Sequence, residues 1–558
     1  MTCFLNEKRL LRGPWQAFER DVARLFLQHN FADVRLVGGT GDHGADILCV
    51  RDGELWVIQC KFTTNSPPAI AAVQEVITAG AFYGADKLRI ATSRPASEPL
   101  RELVKRQRSL GVDIKLLEPA RLLSWADRAP EYSHRAKTPR SYQEEVIEAM
   151  RTALLGTGRA QAVLATGLGK TIVMAETTAR LFRDDKIRGG RALVLAHTRP
   201  LVDQLIQAFW SQLPKWVATQ RLADQETPTS WDGMTFATVQ SAINRLRDMP
   251  DFGLVLVDEA HHVGASMFQN VIGEINAPML GGVTATPWRG DGYDIDTLLG
   301  EPVAKIGISE GLNRGFLSEV DYRLLGDNID WEFVQSASEH SYSLTQLNKR
   351  LIIPTRDDEA ARRATEVFIE EKRKAVIVYC PSAVHANEFA AMLRQYGHTA
   401  ESVLYETAPR DRDRLLSRFR AGKLHFVTTV DLFNEGMDVP DVDMIVFMRA
   451  THSRRIFVQQ LGRGLRTSDG KDKLIVLDFV TDLRRVAEVV DLDKATKGAG
   501  VERLGLGSSL VTFSDHSAGS FLKEWMLDQA SLVLRDGDPI LEIPRFNYPE
   551  AVPPGGVQ

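Results

Sequence analysis

Residues 163–171, VLATGLGKT, form a pattern suited to binding phosphate groups. An apolar stretch leads into a loop that contains Thr166 and Gly167 and ends in Gly169-Lys170-Thr171, and a helical pattern follows. In such a loop, backbone N–H groups at a helix N-terminus bind phosphate oxygens, the lysine adds a positive charge and the threonine hydroxyl holds Mg²⁺. Leu164 stands where the general GxxxxGK[ST] form has its first glycine, so the pattern alone also fits a glycine-rich strand–helix turn.

A pair of acidic residues, Asp258 and Glu259, directly follows the apolar segment Leu254–Val257. Ligands of parallel sheets bind at the carboxyl ends of the strands. Asp258 can hold Mg²⁺ there through water, and Glu259 can orient and deprotonate an attacking water. Such a pair is often only a solvated turn, but here it follows a phosphate-binding loop in the same predicted sheet. The combination predicts a phosphoryl-transfer site.

Two arginines near the C-terminal end of the second predicted sheet can complete that site. Arg463 and Arg466 are three positions apart, so on a helix they share a face. Arginines supplied from a second lobe stabilise the charge on a transferring phosphoryl group. The alternative interpretation is a basic helix face.

A second constellation lies near the N-terminus, in a predicted hairpin. Residues 45–50 and 55–60 are apolar and flank Asp52-Gly53, which is typical of a two-residue hairpin turn. With this turn, the residue numbers of two cross-strand partners add up to 105, so Asp46 lies opposite Gln59. Lys61 is two positions after Gln59 and therefore projects on the same face. Glu19, on the preceding predicted helix, can join them. The set can bind Mg²⁺, which generates hydroxide and stabilises a pentavalent phosphate, while Lys61 supports the nucleophile or the developing charge. A surface ion pair is the alternative.

The surrounding elements must position these residues. Residues 14–30 have apolar side chains at helical spacing, residues 69–82 also predict a helix, and Leu88–Thr92 predicts a buried strand. After a polar stretch, residues 139–485 alternate short apolar strands with helical segments, which predicts two parallel α/β sheets. The strands expected there are Ala192–Ala196, Leu254–Val257, Ala375–Tyr379, Phe426–Thr429 and Met444–Phe447.

Residues 139–485 resemble a superfamily 2 helicase of the DEAH-containing kind found in the motor subunits of type I and type III restriction enzymes. Eight motifs occur in the order of that family: Arg140–Gln143, Ala165–Thr171, Ala196–Arg199 with Thr238–Gln240, Asp258–His261, Thr284–Pro287, Val376–Cys380, Asn434–Pro440 and Gln459–Arg466. The resemblance implies two RecA-like lobes that close on ATP. It further implies that Gln143, Gly436 and Asp438 bind the nucleotide and that Arg199 and Thr238 contact a nucleic-acid strand.

Residues 12–126 resemble the Mrr-type restriction endonuclease domain, a branch of the PD-(D/E)xK nuclease fold. The resemblance rests on Phe18-Glu19, Gly41–Ile47, Val57–Phe62, Val73–Glu75 and Ala91–Ser93. Gln59 departs from the general nuclease pattern, in which an acid is commoner, whereas the Mrr-type branch itself has Gln-x-Lys. The resemblance implies a Mg²⁺-dependent nuclease with catalytic Asp46, Gln59, Lys61 and Glu19. The rival interpretation is a fold kept only as a DNA-binding platform. Trp15, Trp56 and Trp125 are expected to be core residues.

Charge is distributed unevenly along the 558 residues. The whole chain carries 68 Lys and Arg against 73 Asp and Glu, a net charge of −5, yet residues 1–138 carry a net charge of +4 and the remainder −9. The chain contains four cysteines, none in a CxxC pair, which indicates reduced thiols. No apolar run is long enough to span a membrane and no secretory signal is evident, so we expect a cytoplasmic location and no membrane partner.

These observations predict an α/β protein with an N-terminal nuclease-like domain, two RecA-like lobes and a short C-terminal extension. The expected boundaries are residues 1–128 for the nuclease-like domain, 129–138 for a linker, 139–318 and 319–490 for the lobes, and 491–558 for an extension of unknown role. The expected function is an ATP-dependent DNA helicase or translocase coupled to an endonuclease in restriction or defence, with ATP and Mg²⁺ as cofactors. DNA and defence-system subunits are the expected partners. A DNA-repair helicase whose N-terminal module only binds DNA, and an RNA remodelling factor, remain alternatives.

Overall fold

Two compact units make up the chain in a computed structural model. The first contains Met1–Leu164 and Gly169–Lys305, and the second contains Ala165–Leu168 and Ile306–Gln558. The residues that the structure describes are 3–37, 44–223, 226–260, 266–285, 295–324, 328–329, 341–343, 352–353, 357–430, 442–448, 460–467, 471–479, 504–505 and 540–542.

The first part of unit 1 is a five-stranded mixed sheet flanked by helices. The helices are α1 (Glu7–Arg12), α2 (Trp15–Gln28), α3 (Ala72–Tyr83), α4 (Glu98–Ser109) and α5 (Pro119–Arg128). The strands are β1 (Ala32–Leu36), β2 (Ile47–Arg51), β3 (Glu54–Lys61), β4 (Lys87–Thr92) and β5 (Ile114–Leu117), and they lie in sequence order. The pairs β1–β2 and β2–β3 are antiparallel, whereas β3–β4 and β4–β5 are parallel. We call this part, through Arg128, the N-terminal module.

Apolar side chains on one face of this sheet pack against α3 and α4. Leu48, Val57 and Ile90 from the strands meet Val73 and Val76 from α3 in one buried cluster. These strands are β-branched and apolar because both faces of the central strands are covered. The expected helices and the expected strand over residues 88–92 are therefore present.

The rest of unit 1 is a seven-stranded sheet, which we call lobe 1. Its helices are α6 (Ser141–Gly156), α7 (Lys170–Arg183), α8 (Arg199–Gln212), α9 (Val239–Asn244), α10 (Ser266–Ile275) and α11 (Asp296–Leu299). Its strands are β6 (Arg159–Leu164), β7 (Arg191–Ala196), β8 (Thr219–Leu222), β9 (Gly233–Thr238), β10 (Leu254–Asp258), β11 (Met279–Thr284) and β12 (Pro302–Ile306), in the order β12-β6-β11-β10-β7-β9-β8. The described registers among β6 to β11 are parallel, as the alternating pattern predicts.

Unit 2 contains a second seven-stranded sheet, which we call lobe 2. Its helices are α12 (Ile308–Asn313), α13 (Asp357–Glu370), α14 (Ala383–Gln395) and α15 (Pro409–Arg420). Its sheet has the order β18-β19-β17-β20-β21-β13-β22, built from β13 (Glu319–Leu324), β17 (Val376–Tyr379), β18 (Ala400–Ser402), β19 (Phe426–Thr429), β20 (Met444–Phe447), β21 (Lys473–Asp478) and β22 (Leu504–Gly505). Its strands pair in parallel. Two short antiparallel pairs join β14 (Asn328–Ile329) to β16 (Ile352–Ile353) and β15 (Ser341–Ser343) to β23 (Ile540–Glu542).

The α/β class with one small sheet domain and two parallel-sheet lobes is thus confirmed. Within the ranges given above, no helix is long and apolar enough to cross a membrane. All four cysteines are free and buried.

Candidate active sites

The β2–β3 hairpin brings together the acidic and amide residues of the N-terminal module. Its turn is Asp52-Gly53, with φ of +54° and +80°, and these positive values match a type I′ hairpin turn. Ile47 pairs with Ile58 and Arg51 with Glu54, so the predicted register is confirmed. Because side chains alternate along a strand, this register puts Asp46 and Gln59 next to each other.

Asp46 is held by two hydrogen bonds from β3. Its Oδ2 accepts from the Gln59 amide Nε2 at 2.7 Å and from the Cys60 backbone N–H at 2.5 Å. The Gln59 amide donates through its nitrogen, so its carbonyl oxygen Oε1 remains for another ligand. This Oε1 atom is buried, and no described residue donates a hydrogen bond to it. A buried acceptor without a donor is costly, and a cation beside it would offset that cost.

Gly44 covers the Gln59 carbonyl. Its backbone has φ of +88°, and an added Cβ would lie 2.9 Å from Gln59 Oε1 and 2.5 Å from the Cβ of Glu75. Only glycine tolerates both this backbone conformation and this close approach. Gly44, just before β2, therefore lies over the site at a position where no side chain fits.

Lys61 faces an acidic partner that the sequence patterns did not identify as a site residue. Its Nζ lies 2.5 Å from Glu75 Oε2, and Glu75 is in the first turn of α3. The pairing fixes the position of the ammonium group near the end of β3. Glu75 was noted only as part of a stretch resembling Mrr-type domains, and no spacing rule connects it to Lys61, because the packing of α3 on β3 decides their contact.

A cavity of about 270 Å³ joins the predicted residues of this module. It is lined by the four predicted residues, Glu19, Asp46, Gln59 and Lys61. The remaining lining residues are Trp15, Phe18, Cys60 and Phe62. The expectation that Trp15 is a core residue is wrong, because its side chain is 53% exposed at this cavity. Trp56 is half-buried and packs edge-to-face on Phe31, as expected of a core aromatic residue.

The chemistry of the cavity excludes a thiolate. Burial raises the pKa of Cys60 well above its usual value, and the charges of Asp46 and Glu19 raise it further. The thiol is therefore protonated at neutral pH and is a poor nucleophile.

The described residues contain no cluster of three or more Asp, Glu, His or Cys side chains placed to hold a metal. The residues that fit a hard divalent cation here are the Asp46 carboxylate and the Gln59 carbonyl, which are oxygen ligands.

The loop predicted to bind phosphate follows β6 and contains two glycines with positive φ. Gly167 and Gly169 have φ of +95° and +80°, and α7 begins at Lys170, with Thr171 next. Lys170 Nζ lies 3.1 Å from Glu259 Oε1, so the lysine and the second acid of the acidic pair are in direct contact. The structure thus brings together two residues that are 89 positions apart in the sequence.

The acidic pair sits at the carboxyl end of β10, beside Lys170. Burial raises the pKa of Asp258 to about 7; the Glu259 charge adds to the rise and Lys170 opposes it. Glu259 has φ of +50°, in the left-handed region that residues with a Cβ seldom adopt. Such strain is concentrated at functional sites, where it directs a side chain. A divalent cation fits at Asp258, because it would favour the ionised form of this buried acid.

Gln143 lies against the phosphate-binding loop. Its Oε1 accepts from the Arg140 backbone N–H at 2.9 Å, which caps α6. A Cβ added to Gly169 would overlap Gln143 Nε2, so the glycine leaves room for the glutamine. Arg180 of α7 pairs with Glu144 at 2.6 Å and fixes α6 on α7. The predicted adenine-binding residue is therefore held next to the loop by two helices.

The two residues expected to contact nucleic acid occupy helix starts in lobe 1. Arg199 is the first residue of α8. Thr238 is the N-cap of α9: its hydroxyl accepts from the Ser241 backbone N–H at 3.1 Å, and the side chain is buried. This geometry therefore assigns to Thr238 the role of capping α9. Gln240, in the same motif, is exposed.

Part of the predicted site belongs to unit 2. Arg463 and Arg466 lie in a segment tied to β13, since Ser318 Oγ donates to the Arg466 carbonyl at 2.9 Å and the Ser318 backbone N–H donates to the Leu465 carbonyl at 2.9 Å. Gly436 and Asp438 lie outside the described residues, as do His261, Thr286 and Pro287. The roles of these residues remain predictions.

Three family models match the chain in separate segments. "Restriction endonuclease" matches residues 10–126, "Type III restriction enzyme, res subunit" matches residues 136–289, and "Helicase conserved C-terminal domain" matches residues 359–468. The order of the three matches agrees with the order of the three sheets.

The relatives include helicases and restriction enzymes. The yeast Saccharomyces cerevisiae protein IRC3, named as an ATP-dependent helicase, is 25% identical over 354 residues, which cover 61% of this chain and 51% of IRC3. The endonuclease subunit of the Escherichia coli type I restriction enzyme EcoKI is 24% identical, covering 63% of this chain and 35% of the subunit. The chain thus spans about half the length of the first of these relatives, and less of the second.

Solved structures with a similar fold include a restriction-modification enzyme. The Type ISP restriction-modification enzyme LlaBIII, bound to DNA, superposes with a TM-score of 0.52 at 15% identity and covers 97% of this chain and 43% of its own. Helicase domains indicate an enzyme that hydrolyses ATP, and both families imply the use of a divalent metal. The chain therefore contains a restriction endonuclease domain, a domain like that of the type III restriction enzyme res subunit and a helicase C-terminal domain, in this order.

Proposed function

We propose that this chain is an ATP-driven DNA translocase or helicase that carries a Mg²⁺-dependent DNA endonuclease and acts in the restriction of foreign DNA. The proposal assigns the nuclease to residues 1–128, the two motor lobes to residues 139–318 and 319–490, and no role to residues 491–558. The observation that carries it is the hydrogen-bonded Asp46–Gln59 pair beside Lys61 in an open cavity, in the same compact unit as the Lys170–Glu259 pair.

In the nuclease, each residue has a distinct task. Asp46 and Gln59 Oε1 would hold the cation, which supplies charge neutralisation at the scissile phosphate and acidifies water. Lys61 lies on the same face and stabilises negative charge on the phosphate, with Glu75 holding its ammonium group in place. Glu19 lines the same cavity and can accept a proton.

In the motor, lobe 1 supplies the groups that hold ATP and attack it. Backbone N–H groups at the start of α7 and the Lys170 ammonium bind phosphate oxygens, and Thr171 and Asp258 would hold Mg²⁺. Glu259 orients water and takes its proton, and Gln143 recognises the adenine. Arg463 and Arg466 stabilise charge on the transferring phosphoryl group, and Gly436 and Asp438 contribute to the same nucleotide site. Arg199 and the Thr238 motif contact the strand.

A cleavage assay tests the nuclease. Wild-type protein should cut plasmid DNA when Mg²⁺ or Mn²⁺ is present, and Asp46→Ala and Lys61→Ala should each abolish cutting while ATP hydrolysis continues. A wild-type protein that nicks no DNA under either metal would leave the N-terminal module as a DNA-binding platform, and the repair-helicase alternative would replace the proposal.

A second assay tests the motor and the biological role. Lys170→Ala should abolish ATP hydrolysis stimulated by nucleic acid, and duplex DNA should stimulate more than RNA. Modified and unmodified plasmids, compared with and without ATP, test restriction, because a restriction enzyme distinguishes the two. Equal cutting of both plasmids, independent of ATP, would argue against the role in defence.

A further inference from the structure

Helix α2 carries an unusual polar face. Its Phe18 and Glu19 line the nuclease cavity. Another face carries charged and amide side chains at helical spacing, and such a face is normally exposed to water. Here all of its members are buried: Arg20, Asp21, Arg24 and Gln28. Buried charges require partners, so this face must be covered by groups that bind them.

Lobe 1 supplies the partner of Arg20. Arg20 Nη1 donates to Glu226 Oε2 at 3.1 Å, and its Nη2 donates to Glu226 Oε1, so the guanidinium and the carboxylate form a two-point contact. Both side chains are almost fully buried. Arg221 of β8 also donates to Glu226, at 2.8 Å. The Arg20–Glu226 pair thus joins α2 to the β8 edge of the lobe 1 sheet.

Arg24 is bound by backbone carbonyls of the same lobe. Its Nη1 donates to the Val217 carbonyl at 2.6 Å and its Nη2 to the Pro214 carbonyl at 3.1 Å. Both carbonyls belong to the loop between α8 and β8, and the guanidinium also lies 4.2 Å from the ring centre of Phe4. The side chain has no exposed surface, so the loop of lobe 1 encloses it.

A third arginine extends the interface, together with the segment expected to be a linker. Arg9 donates to Asp21 at 2.7 Å and to the Thr219 carbonyl of β8 at 3.1 Å. Lys215 of lobe 1 donates to the Ala129 carbonyl at 2.8 Å, and Gln28 donates to the Pro130 carbonyl at 2.9 Å. Residues 129–131 therefore lie in the interface and not in a free connection.

We propose that Arg20 and Arg24 are positioning residues of the nuclease, which anchor α2 to lobe 1 and thereby set the place of Glu19 in the cavity. This proposal rests on the nuclease function proposed above. Glu19 and Arg20 are neighbours on one helix, so a rotation or shift of α2 that loosens Arg20 also moves Glu19. Lobe 1 is consequently a structural part of the nuclease, and the cutting site moves with the ATP-binding lobe.

Glu226→Gln tests the anchor from the side of lobe 1, without altering the N-terminal module. In the full-length protein we expect kcat for Mg²⁺-dependent cutting to fall about tenfold or more, because a misplaced active-site group costs rate. The KM for DNA and the ATPase rate should stay within about twofold of wild type. The matched control is Glu118→Gln, which breaks an exposed ion pair with Arg101 inside the N-terminal module and should leave cutting unchanged.

A paired substitution separates positioning from direct catalysis. Arg20→Met alone should lose cutting, and Arg20→Met combined with Glu226→Leu should recover much of it, because neither charge of the buried pair is then left without the other. Arg221, which also contacts Glu226, keeps its ion pair with Asp203 at 2.7 Å in both variants. Failure of the double variant to recover, or a Glu226→Gln protein that cuts like wild type, would overturn the proposal.

Hydrogen exchange makes the test independent of cutting. In wild type the amides of α2 should exchange as slowly as those of β8, and in Glu226→Gln those of α2 should exchange faster while those of β9 do not change. If wild type never cuts DNA but α2 responds in this way, the proposed nuclease function fails and the anchor stands. If α2 is unaffected in Glu226→Gln, the anchor itself is refuted.

Discussion

Gly44→Ala provides a sharp test of the geometry around Gln59. The added Cβ would lie 2.5 Å from the Cβ of Glu75 and 2.9 Å from Gln59 Oε1, whereas ordinary contact begins at 3.4 Å. Relief of the closer contact requires a shift of about 1 Å between Gly44 and α3. A misplacement of that size near reacting groups costs about 10²-fold in rate, so Mg²⁺-dependent cutting should fall by about that factor.

The stability cost has two parts that a control can separate. A left-handed backbone with a Cβ costs about 1–2 kcal/mol, and overpacking adds about 1–3 kcal/mol. Gly53→Ala is the matched control, because Gly53 has φ of +80° but nothing lies within 4 Å of an added Cβ. Gly53→Ala should therefore show only the backbone cost and should keep full cutting activity.

Two measurements decide the outcome. Native-state hydrogen exchange of the β2 and β3 amides reports the local opening free energy, and the excess of Gly44→Ala over Gly53→Ala should be about 1–3 kcal/mol. The rate of plasmid cutting reports the site, and the ATPase rate reports lobe 1, which should be unaffected. If Gly44→Ala cuts DNA as fast as Gly53→Ala, the close approach over Gln59 has no part in the nuclease.

Three further predictions follow from other contacts. Burial raises the pKa of Asp258 to about 7, above its value in the unfolded chain, so the native state binds the extra proton. The stability of nucleotide-free wild type relative to Asp258→Asn should therefore fall as the pH rises from about 4 to about 7, which urea denaturation can measure. Gly169→Ala should weaken ATP binding about tenfold or more, because the new Cβ overlaps Gln143, while Gly84→Ala, which has open space at a positive φ, should bind a fluorescent nucleotide normally. Native protein treated with iodoacetamide should retain an unmodified Cys60 by mass spectrometry, because burial raises the pKa of this thiol; rapid alkylation would contradict its enclosure.

Short-range patterns predicted the nuclease hairpin in detail. A two-residue turn leaves one register, and the period of two along a strand then pairs Asp46 with Gln59, as the structure has it. The expectation that Trp15 is a core residue was wrong, because this first residue of α2 is exposed. Its exposure depends on where the cavity opens, and that is decided by elements distant in the sequence.

The structure also changes the interpretation of the uneven charge distribution along the chain. A basic N-terminal module suggests a surface for nucleic acid, but three of its arginines contact lobe 1. Arg20 binds Glu226, and Arg9 and Arg24 bind backbone carbonyls. Part of the charge difference between the two segments therefore serves their attachment. Helical periodicity predicts the polar face of α2 as solvent-exposed, because periodicity carries no information about a partner domain.

The amino-acid sequence by itself determined the local chemistry of this protein: the phosphate-binding loop, the acidic pair after a strand, the hairpin that joins Asp46 to Gln59, and the α/β class. These depend on neighbours within a few residues or on one strand register. Only the tertiary structure decided which acidic residue contacts each of three basic side chains. Lys61 contacts Glu75, Lys170 contacts Glu259 and Arg20 contacts Glu226. Those contacts join residues far apart in the chain, and the packing of helices and sheets sets their distances.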